Sequence, residues 1–210
     1  MKILFFACCL MLTATFGFAQ IGNSTLSQWE NQEPVEWLTN NLLDPDGKVV
    51  EIVVMPAGTS GAKLLVKKLK LEAPDSLQLD GYLAGNLSSL LSPQFVEMGN
   101  PLTLTLSYQW QGVGDDVLKA RVEISSRSTD REGNPLTVCN CQLTNGEMIL
   151  KPTQGSQTVS WQVRFPGSTN PNVVPDKCRL YVWKVQFWIE NTSSHPHEGS
   201  EALIQSVSIK

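Results

Sequence analysis

Leu102-Thr103-Leu104-Thr105-Leu106-Ser107-Tyr108-Gln109-Trp110-Gln111 alternates apolar and polar side chains along its whole length. Successive side chains of an extended chain point to opposite faces, so this stretch reads as a strand with one face in a core and one in water. The same period returns at Leu118-Lys119-Ala120-Arg121-Val122-Glu123-Ile124 and at Val159-Ser160-Trp161-Gln162-Val163-Arg164-Phe165. Further strands are predicted at Val49–Met55, Ala62–Leu71, Leu77–Leu83, Leu136–Leu143, Leu180–Ile189 and Ala202–Ile209. Turn chemistry separates them at Pro56-Ala57-Gly58, Gly99-Asn100-Pro101, Gly112 to Asp116, Glu132 to Pro135, Asn145-Gly146 and Gly167 to Pro171. No window of a dozen residues keeps a helical apolar stripe, and Leu87 to Leu91 predicts one short helical turn at most. About nine short strands joined by turns predict an all-β protein, an antiparallel β-sandwich, rather than an α/β fold.

The chain has 210 residues and a formal net charge of −4, the scale and composition of one globular domain. That length leaves no room for separate cofactor and substrate domains. The acidic balance (pI ≈ 5.2) lacks the clustered Lys and Arg that phosphate contacts need, so nucleic acid is not an expected partner.

Met1-Lys2 opens on a positive charge, and Ile3 to Phe18 is apolar apart from Thr13 and Thr15. Gly17 and Ala19 satisfy the small-residue rule for cleavage before Gln20, so residues 1–19 read as a signal peptide. The apolar run is short for a membrane span of roughly 20 residues. A lipoprotein cut before Cys8 or Cys9 is the alternative. The expectation is a secreted or periplasmic protein with no membrane insertion after cleavage. Residues 20–48 are expected to pack on a sandwich formed by 49–210. Cleavage would leave Cys139, Cys141 and Cys178. Cys139 and Cys141 would share a strand face and compete for a bridge to Cys178, the alternative being three buried free thiols.

Gln28-Trp29-Glu30, Glu33-Pro34, Glu36-Trp37 and Thr39-Asn40-Asn41 together resemble the opening of exported jelly-roll domains from polysaccharide-degrading bacteria. The resemblance continues at Gly58 to Leu65, at Pro101 to Asp116, at Trp161 to Phe165 and at Ala202 to Ile209, in the same order. Such domains include galactose-binding-like carbohydrate-binding modules and a carbohydrate-metabolism domain. The resemblance implies a jelly roll of galactose-binding-like type that binds a polysaccharide or surface glycan without catalysis. In that group the closing strand often carries an acidic ligand for a structural calcium. Gln205 and Ser206 stand there in this chain, which argues against calcium although Asp44, Asp46 and Glu30 could supply oxygens. The group's opening Phe and the Gly before its second Trp are also replaced here, the latter by Glu36.

Enzyme motifs are missing. Gly58-Thr59-Ser60-Gly61-Ala62 lacks the final Gly of a nucleophile elbow, and there is no HExxH, P-loop or CxxC. His195 and His197 flank Pro196 in a polar segment that reads as a solvated loop, so no metal and no cofactor are expected. Asp115-Asp116 reads as a turn whose carboxylates bond local amides, not as a glycosidase pair. Glu123 beside Arg121 and Lys119 reads as a surface ion pair. Sugar recognition instead needs an aromatic plate with polar neighbours. Along Leu180–Ile189 the more apolar set, Tyr181, Trp183, Val185, Phe187 and Ile189, belongs in the core. Trp188, Gln186 and Lys184 then share the opposite face, where a jelly roll's concave ligand surface would lie. Tyr82 is a rim candidate, and Trp110 either closes the core edge or reaches the rim. Trp161 belongs to the core, while Trp29 and Trp37 clamp the N-terminal segment. The competing expectation is a structural or adhesive cell-surface module that meets a protein partner through a sheet face or edge.

Overall fold

The computed structural model describes residues 21–41, 47–56, 58–70, 76–89, 102–129, 135–136, 142–163, 180–191 and 195–209. Residues 1–20, Cys139, Cys141, Cys178, Asp44 and Asp46 lie outside them. The elements in chain order are β1 (Trp29–Glu30), β2 (Glu33–Pro34), β3 (Trp37–Thr39), β4 (Val50–Val54), β5 (Ser60–Lys70), β6 (Ser76–Asp80) and β7 (Tyr82–Ser89). They continue with β8 (Leu102–Gln111), β9 (Val117–Thr129), β10 (Pro135–Leu136), β11 (Gln142–Leu150), β12 (Gln157–Val163), β13 (Leu180–Glu190) and β14 (Glu201–Ile209).

Two six-stranded antiparallel sheets form the all-β sandwich that the alternation predicts. The first runs β10-β9-β13-β7-β3 with β11 also on β9; the second runs β12-β8-β14-β5-β4 with β6 also on β5. The inward set of β8, Leu104, Leu106, Tyr108 and Trp110, meets Leu118, Ala120 and Val122 of β9 and Val185, Phe187 and Ile189 of β13 in one core. Apolar area removed from water drives this packing. Trp161 is half-buried against the same core. The side chains of Tyr181 and Trp183 lie outside the described set.

Several local expectations are corrected. Leu77–Leu83 is not one strand: the chain leaves the second sheet after β6 and enters the first at β7. Gly81 makes that corner, where a Cβ would come within 2.7 Å of the Leu64 Cβ and 2.8 Å of the Leu65 nitrogen. Leu87 to Ser89 is strand, not helix, because pairing with Tyr181–Trp183 of β13 satisfies its backbone. Asn145-Gly146 is not a turn but a bulge inside β11, where the register on β9 shifts between Thr144 and Glu147. Of the expected strand Leu136–Leu143 only the ends are described, in β10, which includes Leu136, and in β11, which starts at Gln142; residues 137–141 lie outside the described residues. A second bulge, at Gln205, changes the parity of β14, so Ala202, Ile204, Val207 and Ile209 all face inward.

The N-terminal segment is woven into the sandwich. Trp37 on β3 is 4% exposed and stacks on Phe187 at 6.4 Å between ring centroids. Its indole N–H donates to the Gly22 carbonyl at 3.1 Å, and Trp29 donates to the Leu26 carbonyl at 2.7 Å. Glu36 has φ 67, a left-handed conformation that glycine adopts at less cost than other residues.

Candidate functional site

The inward parity of Val185, Phe187 and Ile189 forces Lys184, Gln186 and Trp188 onto the outer face of the first sheet. Strand pairing then decides their company. Trp188 stands between Tyr82 on β7 and Lys119 on β9; Gln186 stands between Ala84 and Arg121; Lys184 stands between Asn86 and Glu123. Ile149, 61% exposed, extends the Trp188 row on β11, and Leu38, 57% exposed, extends the Gln186 row on β3. Two half-buried rings thus lie side by side on a face that also carries amide and cationic groups.

Fixed contacts hold this platform. The Trp188 indole N–H donates to Glu190 Oε2 at 2.8 Å. Lys119 Nζ lies 6.0 Å from the Trp188 ring centroid and the Arg121 guanidinium 5.4 Å, both within cation–π range. Arg121 also donates to Gln186 Oε1 at 2.8 Å, and Lys184 Nζ sits 5.8 Å from the Tyr82 ring. Lys119 pairs with Glu147 at 2.7 Å and with Glu190. Burial pushes the Glu190 carboxyl upward, but hydrogen bonds from Lys119 and Trp188 and the Lys119 charge hold it below its ordinary value. Hydrogen bonds to Glu147 and Glu190 raise Lys119.

Four of the expected ligand residues, Trp188, Gln186, Lys184 and Tyr82, therefore share one surface. Trp110 does not join them. It is 1% exposed on the second sheet, a core ring unavailable for stacking on a ligand, because its strand parity matches Tyr108 and Leu106. Lys119, Arg121 and Glu190 were not anticipated as part of this surface. Lys119 and Arg121 do lie on the wet face of their alternating strand, but only the β9–β13 register places them against Trp188. The observed partners of Lys119 are Glu147 and Glu190; the side chain of Glu123 is outside the described set.

A second cluster ties the β8–β9 turn to the segment before β14. The Asp116 side chain is wholly buried, and its partners are distant in sequence rather than local as expected. Its Oδ2 accepts from Ser200 Oγ at 2.5 Å and from the His197 main-chain N–H at 2.7 Å. Its Oδ1 accepts from Asn191 Nδ2 and pairs with His197 Nδ1, both at 2.9 Å. His197 is thus tethered, not merely solvated. Burial raises Asp116, but the bonds from Ser200, Asn191 and His197 lower it overall. The bond to Asp116, then its charge and that of Asp115, raise His197 against some desolvation. Ligand atoms of Asp115, Asp116 and His197 fall within 4.8 Å of one another, close enough for a cation. Both Asp116 oxygens already take two hydrogen bonds each, so the geometry is that of a structural strap.

No family model matches the chain, and no curated protein matches it in sequence. Among solved structures, a candidate glycoside hydrolase from Bacteroides thetaiotaomicron is similar in fold, with TM-score 0.52 and 10% identity over 90% of this chain and 68% of that one. The CBM22-1 xylan-binding domain from Paenibacillus barcinonensis aligns with TM-score 0.41 and 8% identity over 89% and 90% of the two chains. A CBM61 module solved with β-1,4-galactotriose aligns with TM-score 0.45 and 10% identity over 90% and 96%. At these identities the likeness concerns the fold alone.

Proposed function

We propose that this chain is an exported, non-catalytic glycan-binding module that takes polysaccharide or a surface glycan on the outer face of the first sheet. The observation that carries this reading is the pairing of Trp188 with Tyr82 across β13 and β7, beside Gln186, Lys184 and Arg121. Flat rings stack on the C–H face of a pyranose, while amide and cationic groups meet its hydroxyls. The described carboxylates around Trp188 and Lys119 argue against hydrolysis. Glu147 and Glu190 share the Lys119 ammonium, and Glu190 is held ionised, whereas a glycosidase acid needs a raised pKa. Ile52 and Val54, 45% and 72% exposed on edge strand β4, favour a second reading, an adhesive module that pairs with a protein partner.

A glycan array with the mature protein and Trp188→Ala tests the first reading. Binding that falls at least tenfold in the variant, at unchanged melting temperature, is expected. Equal binding by both removes Trp188 from the site, and no binding by either overturns the reading.

A further inference from the structure

We infer that the outer face of the second sheet carries a separate, smaller saccharide site, on the opposite side of the sandwich from Trp188. Ala62 and Leu64 of β5 face the core, so Gly61 and Lys63 face outward. With no side chain at Gly61, Leu203 of β14 folds across it: a Cβ there would lie 2.9 Å from Leu203 Cδ1. The result is a cleft of about 200 Å³ lined by Val53, Lys63, Gln109, Gln111, Glu201 and Leu203, with Trp110, whose ring is buried in the core, behind it.

The lining combines an apolar floor with convergent polar groups. Leu203 and Val53 offer a surface for the C–H face of a ring. Lys63 Nζ and Glu201 Oε2 form an ion pair at 2.5 Å, giving a donor and an acceptor with no net charge. Gln109 is oriented by its Nε2 bond to Ser156 Oγ at 2.9 Å, and Ser156 in turn accepts from Gln205 at 2.8 Å. Gln111 is exposed, and its side-chain amide has no hydrogen-bond partner among the described residues, so that amide can both donate and accept. A neutral polyol satisfies such groups; an anion or cation meets one attractive and one repulsive member of the Lys63–Glu201 pair. The cleft is smaller than the roughly 300 to 1,000 Å³ of pockets that enclose drug-sized ligands, so it takes a single sugar residue or a chain end. Trp110 is 1% exposed and offers no ring face, so binding here is weaker than on an exposed aromatic plate. Two sites on opposite faces would let one molecule hold two stretches of polysaccharide, each raising the effective concentration at the other.

This site does not rest on the platform, and its test separates the two. The mature protein is titrated with methyl β-glycosides of glucose, galactose and xylose while amide signals are followed by NMR. Saturating shifts at Lys63, Gln109, Gln111 and Leu203 are expected with at least one glycoside, and they persist in Trp188→Ala. They weaken at least fivefold in Gln111→Ala, an exposed position whose truncation leaves the fold intact. Shifts confined to the Trp188 face, equal shifts with glycerol, or none around Leu203 overturn the proposal. Shifts around Leu203 alone leave it standing while removing the platform reading.

Discussion

Glu190 joins two functions through one carboxylate: it takes the Trp188 indole N–H and shares the Lys119 charge. Without that tie the indole could rotate about χ1 and χ2, and ordering it on a ligand would cost entropy. Glu190→Ala, which removes the acceptor, is therefore expected to weaken glycan binding about three- to tenfold. It should barely move thermal stability, because a partly exposed ion pair contributes about 1 kcal/mol or less. Titration calorimetry beside a melting curve checks both halves; unchanged affinity would show that Trp188 is held by its packing alone. The alternation of β13 already puts Lys184, Gln186 and Trp188 on one face. Which residue bonds the indole is a matter of side-chain rotamers that no periodicity encodes.

The strap between the β8–β9 turn and the segment before β14 makes stability depend on pH in a definite direction. His197 is raised above about 6.5, so its contribution is complete below that value and is lost as pH climbs through the folded pKa. Asp116 is lowered, so its contribution is complete above about 3.9 and is lost as pH falls through its folded value. The strap is strongest between those limits. His197→Ala should lower the melting temperature more at pH 5.5 than at pH 9, and the His197 ring should titrate above 6.5 by NMR. Equal losses at both pH values would assign its role to packing and the main-chain N–H alone. Asp115-Asp116 and His195-Pro196-His197 stand out in the sequence as separate polar segments. They meet because β13 and β14 carry the latter segment to the end of the sandwich where β8 turns into β9.

At the scale of the whole molecule, residues 21–41 are part of the core rather than an appendage. Ile21, Leu26 and Trp37 are buried; Asn40 bonds the Asp80 carbonyl and the Tyr82 N–H; Asn41 caps Val49 and Val50. Burying three such side chains contributes about 5–8 kcal/mol, comparable with the roughly 5–15 kcal/mol by which a whole domain is stable. Deletion of residues 20–41 should therefore yield a protein without a cooperative melting transition, measured by circular dichroism and size exclusion. A truncated monomer that melts cooperatively would contradict this. The sequence by itself determined the sandwich, since period-two alternation admits only one way to bury each strand's apolar face. It also placed Trp188, Gln186 and Lys184 together, because one strand's parity settles them. Only the tertiary structure decided that Trp110 is core, that Gly81 turns a strand between sheets, and that Lys119, Arg121 and Glu190 surround Trp188. Those outcomes depend on which strands are neighbours and in what register, and pairing partners far apart in the chain leave no local periodic trace.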